Sequence, residues 1–462
     1  MKIVYTILLP TAILLSACAH LNRDYSSDTV VSTATTDVGL EVEQSWQTAS
    51  DSSAIPTGGE AWFTAFNDPK LNQYIATALR GNRSLQAEAS SLASTIEALT
   101  ALSAQRKPSI DGRLRQNYTK ADSSEGQFIY NTSLNLSWEL DIWSRLSDQN
   151  KAGALTAEAS AFTYEAARLS LAGNIAKRWF SIIASHLQLQ INQKRLENQE
   201  NALAIVEEQY KSGRGDAMDI FLGRSDVTSQ RAAIVSTRNQ LEQSIRTFKR
   251  LLGDYPDINL DIEASLPELS SNIPTGLPSD LLKRRPDVLA SMKYWQASVL
   301  EETIADKARF PSFALTASYG ASSEELLKIS ASDFIFNAIN NITVPIFNGG
   351  QLKSELKQAE YDTEESYQDY VDTLLTSFEE VESALGAEIY LKEQLALLEQ
   401  AESFAQSAYE LAFEQYQSGL IRYSNLLEFE RRWFTTQVDI ITLKNSRLEN
   451  RINLHLALGG DF

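Results

Sequence analysis

The 462-residue chain has one cysteine, three methionines and three histidines. A single cysteine excludes an internal disulfide framework. His20, His186 and His455 show no metal-ligand spacing, so neither a metal site nor another cofactor is expected. No internal apolar run reaches the ~18 to 20 residues of a spanning helix, so any membrane crossing must be made by strands. Basic residues are in deficit, 41 against 60 acidic ones, for a net charge of -19. That argues against a nucleic-acid binder, which needs a basic surface. It fits an acidic soluble surface, or a water-filled space that favours cations. No catalytic constellation is present, so an enzyme is not expected. Gly349-Gly350 and Gly213-Arg214-Gly215 lack the strand-turn-helix frame and lysine of a phosphate loop, and read as turn glycines.

Proline is missing from 352–417, and Gly386 is its only glycine. Tyr367, Val371, Leu374, Phe378, Val381 and Leu385 alternate at spacings of three and four and line one face of a helix. About 66 residues make a rod of ~100 Å. The stretch ends in Tyr416-Gln417-Ser418-Gly419, and 146–211 has the same length and ends in Tyr210-Lys211-Ser212-Gly213. The length of the whole chain calls for two or more units.

The N-terminus reads as an address. Lys2 precedes an apolar run over 3–15, then Leu15-Ser16-Ala17-Cys18. A short charged start, an apolar segment and small residues describe a secretory signal over 1–17. A cysteine after Leu-Ser-Ala resembles a bacterial lipoprotein signal, with Cys18 acylated after cleavage. More than one lipid chain is needed for stable anchoring. Residues 18–61 are rich in Ser, Thr and Asp and read as a lipidated tether.

Order is expected from Trp62. Asp68-Pro69 reads as an N-cap followed by proline at the first helical position. Leu71, Ile75, Ala78 and Leu79 predict a short helix stopped at Gly81-Asn82, and a second helix covers 84–106. Two alternating segments follow. Ile110, Gly112, Leu114, Gln116 and Tyr118 share one face of the first; Tyr130, Thr132, Leu134, Leu136, Trp138 and Leu140 share one face of the second. Ser123-Ser124-Glu125-Gly126 is the expected hairpin loop. Alternation alone favours a half-buried soluble sheet over transmembrane strands facing a wet lumen. A long helix, a glycine turn and a return helix over 216–252 complete the half.

The pattern then repeats. A helix over 287–308 precedes a third strand, with Phe313, Leu315, Ala317 and Tyr319 on one face. The fourth strand is expected to alternate Ile342, Val344 and Ile346, with Asn340 breaking its apolar face. Arg106-Lys107-Pro108-Ser109 matches Arg309-Phe310-Pro311-Ser312, and Leu252-Gly253 matches Leu458-Gly459. These matches predict a duplication, with repeats at 62–253 and 279–462 and a linking loop at 254–278. Helices of about 23 and 37 residues span ~35 and ~55 Å, so stacked end to end they nearly equal one long rod. Four strands do not close a barrel, so the chain calls for an oligomer.

Four patches now carry a resemblance. They are Trp62-Phe63 through Phe66-Asn67-Asp68-Pro69; Trp138-Glu139-Leu140-Asp141-Ile142-Trp143 with Arg145; Leu277-Pro278-Ser279-Asp280 with Arg284-Arg285-Pro286-Asp287; and Val344-Pro345-Ile346-Phe347-Asn348-Gly349-Gly350. In this order behind a lipobox, the chain resembles the TolC-like outer-membrane efflux proteins, in the lipoprotein branch that includes OprM and NodT. The resemblance implies a mainly α fold with a membrane β-barrel portion. Duplicated helical hairpins of a homotrimer would form a periplasmic α-barrel tunnel, and three copies of four strands a 12-stranded barrel. It implies outer-membrane lipids, a periplasmic membrane-fusion adaptor and a proton-driven inner-membrane pump, most often of the RND type, as partners. The function implied is a passive exit duct for drugs or other small molecules. A duct for polypeptide secretion and a periplasmic coiled-coil adaptor are the competing readings.

Working parts are expected at the two hairpin tips. Ser212, Gly213, Ser418 and Gly419 are the expected adaptor-contact turns. Asp216 and Asp219 follow the first turn; Arg422, Asn425 and Glu428 follow the second, each set on one helix face. Asp216 and Asp219 also suit N-capping and dipole complementarity. Arg422 and Glu428 also suit a surface ion pair. The resemblance implies closure at the second tip by polar rings. Asn425 is neutral, which leaves one carboxylate, Glu428, at those ring positions. The implied gate joins Tyr416, Arg422, Asn425 and Glu428 of neighbouring subunits.

Overall fold

The computed structural model describes residues 62–460, apart from 121–124, 264, 270–280 and 326–327. Cys18, the signal, the tether and the hairpin-loop residues Ser123 and Ser124 lie outside the described residues, as does much of the 254–278 loop.

A 3-10 turn, Trp62–Phe66, opens the body. Helices α1 (Pro69–Gly81) and α2 (Arg83–Gln105) lead to strands β1 (Ser109–Thr119) and β2 (Gln127–Glu139). Helix α3 (Arg145–Lys211) is 67 residues long, and α4 (Ala217–Leu252) packs back along it. After a single helical turn, Leu281–Arg284, the order recurs: α5 (Pro286–Lys307), β3 (Ser312–Ser323), β4 (Ile335–Thr343), α6 (Gln351–Gln417) and α7 (Tyr423–Ala457). Helix α6 also has 67 residues. The stripe expected on it is buried at Val371, Leu374, Val381 and Leu385.

Local chemistry sets the ends. Asp68 Oδ1 accepts from the Leu71 N–H at 2.9 Å, and Pro69 sits at the first position of α1. Helix α3 begins differently, because Ser144 is left-handed at φ 59° and makes no side-chain cap. Asp141 reaches over instead. Its two oxygens accept from the Leu146 and Ser147 N–H groups at 2.9 and 2.8 Å. The neighbouring Trp143 donates to the Pro311 carbonyl at 2.7 Å, and Arg145 pairs with Glu139 at 2.8 Å. The Trp138-to-Arg145 patch is therefore a strand-to-helix corner.

The short helices stack on the return helices, as their lengths suggested. At the first joint the Asn82 amide donates to the Leu251 carbonyl at 2.8 Å, while its Oδ1 caps α2 through Leu85 N–H at 3.0 Å. Gly81 and Gly253 approach backbone to backbone, and a Cβ on either would collide with the other strand of the joint. At the second joint Arg285 donates to the Ala457 carbonyl at 3.3 Å, and Gly459 lies against Arg284. Each half thus holds one continuous and one composite rod.

The main core sits around these joints. Leu71, Ile75, Trp179, Phe180 and Phe248 have no exposed surface. Each such side chain contributes roughly 1.5–3 kcal/mol on burial. Trp179 also donates to Asp68 Oδ2 at 2.6 Å, tying the α1 cap to α3. His455 stacks on Trp62 at 5.7 Å, and burial beside Arg451 holds its imidazole down at about 4, so it is neutral at pH 7.

The strands form one antiparallel sheet in the order β1-β2-β3-β4. Register places Ile110, Leu136, Ala317 and Ala338 in one row, and Gly112, Leu134, Tyr319 and Phe336 in the next. One face is therefore mostly apolar, and the other carries Asp111, Arg113, Arg115 and a series of Asn, Ser and Thr residues, joined on β4 by Ile335 and Ile339. The fourth strand corrects the sequence reading. It ends at Thr343, so Val344 and Ile346 lie beyond it, and its alternation starts earlier, at Phe336. Pro345 has no N–H for a ladder, so the sheet cannot continue through it. Asn340 does lie on the apolar face, opposite Leu315.

Candidate functional site

The hairpin tips lie at the ends of α3 and α6 away from the sheet. Both end by the same hydrogen-bond pattern. Gly213 N–H donates to Tyr210 O at 2.9 Å and Arg214 N–H to Gln209 O at 2.8 Å; Gly419 and Leu420 repeat this with Tyr416 and Gln415, both at 2.9 Å. These are Schellman turns, and Gly213 and Gly419 take the left-handed φ of 71° and 72° that such turns require. Ser212 and Ser418 cap the helices, and both are exposed. Met218, Phe221 and Leu420 are 65%, 71% and 74% exposed, so the tips also present apolar side chains.

The polar residues divide into two groups. Asp216 caps α4, accepting from Met218 N–H at 3.0 Å. Asp219 is half-buried; burial and the nearby Asp216 push its carboxyl up, against the opposing charge of Arg422. The structure thus brings Asp219 and Arg422 of the two turns together within one chain. Arg422, Asn425 and Glu428 are exposed. Glu428 pairs with Arg431 at 2.7 Å and Arg432 at 3.6 Å, so its ion-pair partners lie on its own helix instead of at Arg422. Tyr416 is placed differently from the expected ring. It is 5% exposed and packs on Tyr423, ring centroids 5.6 Å apart, among Ala202, Val206, Ala412 and Leu426. It joins the two hairpins of one chain.

A second layer lies deeper. Glu430 on α7 is 3% exposed, and its Oε1 has no hydrogen-bond partner among the described residues. Gln199 of α3 hydrogen-bonds it, Arg195 of α3 and Asp226 of α4 act on it through charge, and it acts in turn on Tyr409 of α6. The fully buried Tyr423 hydroxyl is likewise without a hydrogen-bond partner among the described residues and feels Glu430, Asp226 and Asp219. Burial, helped by Asp226, pushes the Glu430 carboxyl up to about 7 against the pull of Arg195 and Gln199. Sequence reading missed this cluster. Its signal was present: Tyr423, Leu426, Glu430 and Trp433 follow helical spacing, and a carboxylate interrupts an otherwise apolar stripe.

A raised carboxyl pKa works against the packed tip as pH rises. Below about 4.5 the group is neutral in either state and burial costs nothing extra. Between there and about 7 the packed state holds the proton more tightly, so packing weakens with pH, by on the order of 3 kcal/mol in full. Protection of the tip-helix amides, taken as exchange corrected for its intrinsic base-catalysed rate, is therefore expected to be lower at pH 8 than at pH 5.5. Glu430→Gln should remove that difference; an equal pH response in the variant would show that Glu430 is not its source.

Among the described residues no group of three His, Cys, Asp or Glu side chains is placed to hold a metal. No helix of the described residues is long and apolar enough to cross a membrane.

Comparison with known proteins agrees with this frame. The family model described as "outer membrane efflux protein" matches twice, over residues 74–254 and 277–460. The probable outer membrane lipoprotein SilC of Salmonella typhimurium is 30% identical over 86% of this chain and 87% of its own. The cation efflux system protein CusC of Escherichia coli O6:H1 is 29% identical over 86% and 88%. A crystal structure of CusC superposes with a TM-score of 0.80 at 26% identity, covering 91% of this chain and 98% of that one. The outer-membrane channel OprN gives 0.82 at 22% identity, over 91% and 97%. The chain belongs to the outer membrane efflux protein family.

Proposed function

We propose that three copies of this chain assemble into the outer-membrane exit duct of a tripartite efflux system. They would join twelve strands into one barrel and twelve rods into a tunnel below it, without chemistry of their own. The observation that carries this is the sheet. Its four strands have an apolar and a polar face, and β1 and β4 leave their outer edges unpaired among the described residues. In a bilayer an open edge leaves backbone groups without partners, so only closure with further copies is stable. The rods support the same assembly. On α6, Tyr390, Leu397, Phe404 and Leu411 are 72%, 59%, 76% and 55% exposed and recur every seven residues. That is the period of a seam awaiting a second helix.

Two copies of one repeat, 62–253 and 279–462, would make the subunit pseudo-symmetric. Cys18 would carry the lipid, and the turns at Ser212-Gly213 and Ser418-Gly419 would meet a periplasmic adaptor serving an RND-type pump. Arg422, Asn425 and Glu428, exposed at the tip, are proposed to face neighbouring subunits in the closed gate, with Asp216 and Asp219 beside them. Tyr416 would serve by holding the two hairpins together.

Relatives carry names that span a cation efflux system, a toluene efflux pump and pyoverdine export, so one scaffold serves unlike cargo. Cargo choice is assigned to the pump. The test is a deletion strain challenged with drugs, toluene and metal cations. Raised sensitivity to at least one class, restored by the wild-type gene, is expected; an unchanged profile together with unchanged dye retention would contradict the efflux role. Labelled palmitate should enter the wild-type protein and be absent from Cys18→Ser; equal labelling would remove Cys18 as the lipid site.

A further inference from the structure

Charge is nearly absent from the four strands. Of their residues only Asp111, Arg113, Arg115 and Glu139 are ionisable as acids or guanidines. Glu139 stands at the helix end of β2 and is paired with Arg145 at 2.8 Å. The other three lie together on β1, all on the polar face. Register sets what surrounds them. Arg113 faces Ser133 on β2, which faces Gly320 on β3 and then Ile335 on β4; Arg115 faces Asn131, which faces Ser322. Asp111 faces Asn135 and then Ser318. The neighbours are thus small or neutral, and the two guanidines are the longest groups on that face. Both are exposed, Arg113 with 73% of its side chain free, and its contact with Asp111 is a long 3.5 Å. Asp111 is the only acid on β1, so the patch carries a net positive charge in a chain whose total is -19.

We propose that Arg113 and Arg115 form the charge filter of the exit barrel, favouring solutes that carry a carboxylate, sulfate or phosphate group. The inference rests on the barrel reading above, since the polar face must be the lumen. With three copies, Arg113 and Arg115 make a double ring of six guanidines, its two levels ~7 Å apart along β1, with three Asp111 carboxylates one step further along. A solute in a lumen a few side chains wide passes within about one Debye length, ~8 Å at physiological salt, of that ring. Guanidines stay charged at every working pH and offer forked donors to oxyanions, so the filter does not titrate. The Asn and Ser residues in these rows supply hydrogen bonds, and neither they nor Ile335 bring an opposing charge. The acidic remainder of the molecule and this basic ring act in series, so cations are not excluded; anions are admitted at the last step.

The test is the reversal potential of the purified protein in planar bilayers under a potassium chloride gradient. Arg113→Gln with Arg115→Gln leaves Asp111 as the ring charge and is expected to lower the chloride-to-potassium permeability ratio about threefold or more. Arg113→Lys with Arg115→Lys keeps the charge and should restore the ratio. In cells the glutamine variant should retain an anionic dye while still exporting a cationic one. Heat-resistant oligomer on gels checks that each variant assembles. Channels with an unchanged ratio in the glutamine variant would overturn the filter and leave the duct standing. Absence of any conductance both in the wild-type protein and in a variant with the gate loosened by Arg422→Ala and Glu428→Ala would instead overturn the duct reading and the filter with it.

Discussion

Gly253→Ala is expected to be among the most damaging single-methyl additions in the molecule. Gly253 ends α4 at φ 85°, a left-handed conformation that costs an L-residue roughly 1–2 kcal/mol. A Cβ there would also run into the Gly81 carbonyl, and a Cβ on Gly81 would meet the Leu252 carbonyl. Backbone cannot swing away as a side chain can, and forced overpacking adds about 1–3 kcal/mol. Together these give about 2–5 kcal/mol at the joint where α4 stacks on α2. The measurement is the temperature at which the folded protein is lost in detergent, with the amount reaching the membrane alongside. Gly386→Ala is the control. Gly386 sits inside α6 with open space where its Cβ would go, and an alanine there should be neutral or stabilising by up to about 1 kcal/mol. Equal behaviour of the two variants would mean that the joint is not close-packed.

Arg285→Ala should damage the second joint. Its guanidinium is 8% exposed and binds Asp287 through two nitrogens at 2.6 and 3.0 Å, Glu380 at 2.5 Å and the Ala457 carbonyl. Removing it orphans a carbonyl and two carboxylates. Asp287 and Glu380 keep 40% and 50% of their side chains in water, which softens the penalty. The expected loss is about 2–3 kcal/mol, at or below the low end for a broken buried pair. Arg285→Lys should recover only part, since an ammonium cannot hold the fork. The pair also has a pH signature. Although burial alone would raise it, the Arg285 guanidinium holds the Asp287 carboxyl below its ordinary value. Its stabilisation is therefore present above about pH 4 and lost as pH falls through the lowered value. Arg285→Ala should abolish that acid-side loss; an unchanged acid limb would assign it to other carboxylates.

The two joints show what a sequence makes legible. Helix lengths and the Gly253 and Gly459 matches were enough to place each composite rod end to end. They could not show that the first joint closes on a glycine pair and the second on an arginine, because those contacts span 172 residues in each case between Gly81 and Gly253 and between Arg285 and Ala457. Strand faces were readable where alternation ran unbroken, in β1 to β3. In β4, the run Asn340-Asn341 beside Ile342 and Val344 gave no clean period, and pairing with β3 fixed the register instead. At the tips the glycine turns were legible from Ser-Gly after a long helical run. The inward turn of Tyr416 was not, since its packing against α3 and Tyr423 depends on how two distant hairpins meet.

Three copies closing one sheet is the claim on which the tunnel, the gate and the charge filter all depend. Native mass measurement of the purified protein in mild detergent tests it most directly. A mass of three chains, stable to warming and collapsing to one chain only on full denaturation, is the expected result. A folded species with the mass of a single chain, its four strands intact, would contradict it.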